Sequence, residues 1–119
     1  MGKLDQDFTT WKGNYRRIDF YIEDVSSVEG GLAEWGMSDS NTGSTLIYKT
    51  STGGTTPIVL SGKTVSVFLE PEDTDENSGI AAGVYYHELR LEDVVGQPTT
   101  PAIGTVTLLP VILTAPTGS

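Results

Sequence analysis

Apolar and polar residues alternate along most of this chain. In residues 64–70 (TVSVFLE), Val65, Val67 and Leu69 fall on one side; in residues 84–91 (VYYHELRL), Tyr85, His87, Leu89 and Leu91 do the same. A strand turns successive side chains to opposite faces, so each run can pave one side of a core and leave the other wet. Residues 15–23 (YRRIDFYIE) set Ile18, Phe20 and Ile22 against Arg17, Asp19, Tyr21 and Glu23. Residues 32–38 (LAEWGMS) put Ala33, Trp35 and Met37 on one face, and residues 102–109 (AIGTVTLL) point Val106 and Leu108 inward. Residues 44–50 (STLIYKT) are β-branched and aromatic, as strands prefer. Their alternation admits two orientations, and Leu46 and Tyr48 are the expected inward pair. Residues 8–11 (FTTW) and 57–60 (PIVL) read as short edge strands, the second led by a proline that suits a strand start. Residues 111–113 are expected to extend the last strand past Pro110.

Turn-forming residues separate these runs: Lys12-Gly13-Asn14, then residues 24–31, 39–43 and 51–56, Ser61-Gly62, and a hairpin loop over 92–98. No helical stripe exceeds two turns. Short strands recurring between turns predict an antiparallel sandwich or barrel. The 119 residues make one domain. Its polar ends, residues 1–7 and 114–119, are expected to be flexible.

The formal net charge of −9 repels phosphate backbones, and the seven Lys and Arg are scattered, which argues against a nucleic-acid partner. The first thirty residues lack the basic flank and apolar core of a signal peptide. No run approaches the ~20 apolar residues that span a bilayer, so no membrane partner is expected. Without cysteine there is no disulfide framework, thiolate metal site or Cys nucleophile, and assembly in a reducing cytosol is the expectation.

Candidate chemistry is sparse. Residues 70–77 (EPEDTDEN) place Asp73, Asp75 and Asn77 at the spacing that opens an EF-hand loop. That loop needs Gly where Ser78 stands and a bidentate carboxylate where Val84 stands. The expected state is a solvated acidic loop, with a looser calcium site left open. His87, the single histidine, lies between Tyr85 and Leu89 on an apolar face, the setting of a core side chain with a hydrogen-bond partner. No G-x-S-x-G or H-E-x-x-H motif accompanies it, so no catalytic residue, metal ligand or cofactor is assigned. Gly30-Gly31 and Gly53-Gly54 fit no phosphate-cradling motif. Trp35 shares its face with Ala33 and Met37 and reads as core. Trp11, Tyr21 and Tyr86 have polar surroundings in the alternation, and exposed aromatic rings are what a protein interface or a sugar platform uses. They are the candidate partner-binding residues.

The pattern Asp73-Thr74, Ala82-Gly83-Val84-Tyr85-Tyr86-His87-Glu88-Leu89, Gly96 and Gly104-Thr105-Val106-Thr107-Leu108 resembles a small domain of tailed-bacteriophage structural proteins. The Lys12-Gly13-Asn14 turn, the Ile18/Phe20/Ile22 strand and Trp35 fit it too. The likeness spans most of residues 8–109. Gly83-Val84-Tyr85-Tyr86-His87 also resembles strand F of an immunoglobulin (Ig) domain, with His87 at the second Cys position and Trp35 as the strand-C tryptophan. Together these resemblances imply an all-β, antiparallel Ig-like sandwich of about seven to eight strands. They imply a non-enzymatic virion protein, made in the host cytoplasm, that docks on major capsid or tail subunits as a decoration, tail or baseplate component. Homo-oligomerisation is a further option. The alternative is a carbohydrate-binding or host-attachment module.

Overall fold

A computed structural model describes residues 4–5, 7–23, 25–39, 43–54, 56–75 and 78–110. Among these residues nine strands and one short helix follow in order: β1 (Leu4–Asp5), β2 (Phe8–Trp11), β3 (Arg16–Tyr21), β4 (Leu32–Ser38), β5 (Thr45–Thr50), β6 (Val59–Ser61), β7 (Thr64–Leu69), α1 (Pro71–Thr74), β8 (Gly83–Glu92) and β9 (Pro98–Leu109). They form two sheets. The larger runs β1-β9-β8-β4-β5, with β2 also on β9; the smaller runs β3-β7-β6. Ile18, Phe20, Val65, Val67 and Leu69 of the smaller sheet pack against Trp35, Met37, Leu89, Val106 and Leu108 of the larger. The strand faces read from alternation are therefore the faces that meet.

Several details depart from the pattern. Residues 1–7 include a strand pair, because Leu4 and Asp5 run parallel to Ala102 and Ile103. Asp7 then accepts a bond from the Thr105 amide at 2.8 Å. β2 also pairs parallel to β9, so the sandwich is antiparallel except along this N-terminal edge. In β5 it is Ile47 that is buried, while Leu46 and Tyr48 are exposed. Pairing decides this: Ile47 stands opposite inward Met37, and Tyr48 opposite outward Gly36. A register shift beside Ser38 places Thr45 opposite it and leaves Leu46 as the extra residue. The expected extension over 111–113 and the tail 114–119 lie outside the described residues.

The acidic segment is more ordered than a solvated loop. Pro71–Thr74 makes one helical turn. Asp73 accepts from the Glu70 amide at 2.7 Å and pairs with Lys49 Nζ at 2.7 Å, with both side chains largely buried. Thr74 is buried, and its hydroxyl accepts from the Gly13 amide at 2.9 Å. Gly13 has φ +79, which glycine adopts without strain. The Lys-Gly-Asn turn and the Asp-Thr pair, 61 residues apart, thus close one junction between the sheets. Asn77, the third position of the EF-hand spacing, lies outside the described residues.

Candidate interaction face

The larger sheet has a buried face and an open one, both built on β4 and β8. On the buried face, Trp35 Nε1 donates to His87 Nδ1 at 3.0 Å. Phe8, Phe20 and Trp35 surround the imidazole, with ring centroids at 5.2, 6.0 and 5.8 Å. An imidazole that accepts at Nδ1 carries its proton at Nε2. This is a core histidine satisfied by its neighbours, as its place in the alternation indicated. Two residues earlier, the Tyr85 hydroxyl donates to the Ala81 carbonyl at 2.5 Å. That bond ties the strand to the chain just before it, the device of a tyrosine corner.

On the open face, strand pairing sets the neighbours. Gly36 sits between Tyr48 of β5 and Glu88 of β8. Glu34 is opposite Arg90, and Ser38 is opposite Tyr86. With only hydrogen at Gly36, the surface sinks into a cleft of about 630 Å³ whose walls include Tyr48 and Tyr86. Its polar groups hold one another. The Tyr48 hydroxyl donates to Glu34 Oε2, which keeps the phenol protonated and raises its pKa above the ordinary value. Arg90 Nη2 and Thr100 Oγ1 both donate to Glu88 Oε2, at 3.2 and 3.3 Å. Beyond the cleft, exposed Val84 stands opposite Thr107, and exposed Trp11 lies beside Leu109.

The three candidate partner residues are therefore divided. Trp11 and Tyr86 share the open face of the larger sheet. Tyr21 lies on the opposite side of the molecule, outward from β3, with Lys63 Nζ 5.3 Å from its ring centre. Near it, Asp19 accepts from Ser66 Oγ at 2.7 Å and Arg17 Nε at 2.9 Å; the Ser66 bond first, and Arg17 after it, hold its carboxyl below the usual range. Sequence reasoning missed Tyr48 by turning it inward. It passed over Gly36 because an unmarked strand glycine carries no motif. Among the described residues, no three His, Asp or Glu side chains come together as a metal site.

No protein-family model matches the chain, and no curated protein matches it. Solved structures do match. One belongs to a set of parallel homodimer structures of the extracellular domains of the voltage-gated sodium channel beta4 subunit, reported to explain its role in cell–cell adhesion. It is 14% identical, covers 94% of this chain and 96% of its own, and superposes with a TM-score of 0.54. A second, from photo-crosslinking analyses of cell-adhesive interactions of sodium-channel beta subunits, is 15% identical over 90% of this chain and 92% of its own, with a TM-score of 0.49. The first likeness is one of fold. The chain is an all-β, Ig-like sandwich.

Proposed function

We propose that the protein is a non-enzymatic accessory component of a tailed-phage virion. It docks on capsid or tail subunits through the open face of its larger sheet. The observation that carries this reading is the set of exposed apolar side chains on that face. Trp11 of β2 and Val84 and Tyr86 of β8 stand 41%, 58% and 40% exposed, with Leu109 of the intervening strand β9 between Trp11 and the other two. Aromatic anchors such as Trp and Tyr dominate binding energy when a partner desolvates them, and apolar neighbours such as Val84 add buried area around them. The motif likeness of residues 73–108 supports the virion setting. The sole histidine is committed to the core, where it accepts from Trp35. Binding only the assembled shell or tail would stabilise that state by mass action. The acidic chain, at −9, suits a basic docking surface.

Co-sedimentation with purified particles tests the reading. The wild-type chain is expected to pellet with particles and Val84→Glu to stay in the supernatant. A wild-type chain that never pellets overturns it. Self-association through the same face is a second reading, favoured by the homodimers of the structural neighbour. Analytical ultracentrifugation of the isolated chain decides it: a dimer abolished by Val84→Glu supports it, and a monomer at all concentrations removes it.

A further inference from the structure

We propose that the Gly36 cleft binds a saccharide, with one sugar ring seated between Tyr48 and Tyr86. The cleft lies on the docking face and shares Tyr86 with it, but sugar binding does not depend on particle docking.

Gly36 is the first observation. Glycine inside a strand weakens it and often marks a place where another molecule approaches closely. Neither backbone nor packing demands glycine here. Gly36 is not among the positive-φ residues, and it pairs regularly with both neighbouring strands. A Cβ built on it meets nothing nearer than Thr45 Cγ2 at 3.5 Å, an ordinary contact. The missing side chain serves only to deepen the open face.

The walls are the second observation. Tyr48 and Tyr86 rise from the strands on either side of β4. Tyr48 is level with Gly36 and Tyr86 with Ser38, so two strand spacings and two residues of rise set them diagonally about 12 Å apart, room for one pyranose ring over a floor of Gly36 and Ser38. Both rings are exposed, and aromatic faces are suited to the C–H faces of sugars.

The polar groups are the third. Glu34 and Glu88 are acceptors, and Arg90 and Thr105 are donors, all lining the same cleft. Internal bonds use Oε2 of each glutamate, and among the described residues none is made to Oε1 of either. Carboxylates mixed with a guanidinium suit a neutral polyol, whose hydroxyls donate and accept at once. An anion would face two carboxylates, and a cation would face Arg90.

A glycan array followed by amide-shift titration of the labelled protein with the best-binding oligosaccharide tests the site. Saturable shifts at Gly36, Glu34 and Tyr86 are expected, with affinity falling at least about tenfold in Tyr48→Ala, equivalent to ~1.4 kcal/mol. Gly36→Val, checked for an unchanged circular-dichroism spectrum, is expected to fall as far. An array without hits overturns the proposal. So do shifts that persist in both variants. Loss of particle binding in Gly36→Val, with no sugar bound by the wild type, would give the cleft to a protein side chain instead. The docking reading would then survive and the saccharide site would not.

Discussion

Neighbouring residues on one strand meet opposite fates in this protein. Trp35 and Gly36 are adjacent on β4, and His87 and Glu88 are adjacent on β8. The inward pair is fully enclosed, bonded together and ringed by aromatic side chains. The outward pair floors and edges an open cleft. The inner face is closed: among the described residues its buried polar side-chain atoms find partners within the fold. The outer face keeps large rings and unspent acceptors at the surface, which is a cost to an isolated domain and an asset to a binding one. Stability and recognition are thus separated by a single residue step.

That separation yields a graded set of expectations. Trp35→Ala empties the largest enclosed side chain and should cost about 3–5 kcal/mol in urea unfolding. Trp35→Phe keeps most of the volume but strands the buried acceptor of His87, and about 1–3 kcal/mol is expected. A Phe variant as stable as wild type would show that packing alone holds the pair. Thr74→Val leaves the Gly13 amide without its acceptor and should cost about 1–2 kcal/mol by the same assay. Tyr85→Phe loses one bond near the surface, worth about 0.5–1 kcal/mol.

Outward residues should matter less to the fold. Asp19 has a depressed pKa, so its contribution is present above the unfolded carboxylate range and is lost as pH falls through the folded value. The side chain is 50% exposed, so solvent screening holds the effect below about 1 kcal/mol. Comparing wild type with Asp19→Asn across the acidic range measures it, and a difference that grows with rising pH is the expected sign. Tyr48→Ala should change stability by no more than about 0.5 kcal/mol while removing saccharide binding. A large loss of stability there would make Tyr48 part of the structural framework and blur the division between faces.

Much of the inner face is legible in the sequence. Val65, Val67, Leu69, Leu89, Trp35 and His87 sit where alternation put them, since a period of two leaves only one choice of face once the large apolar residues are known. Where both faces of a run carry bulky residues, that logic fails. In β5, Leu46 and Tyr48 compete with Ile47, and only the pairing with β4, together with the bulge at Leu46, settles which side is inward. The parallel course of β1 and β2 along β9 was equally hidden, because residue pattern reports which face is buried and not which strand lies alongside. The Gly13–Thr74 bond joins two segments distant in the chain, and neither alone announces it.

The chain's own order of residues therefore determined most of the strands and, outside β5, which of their faces is buried, since these follow from local periodicity and residue type. The cleft is a property of assembly. Gly36, Tyr48, Tyr86, Glu88 and Arg90 come from three strands, and only sheet register makes them neighbours. Register is set by the sum of long-range pairings, a quantity that no single stretch of sequence contains.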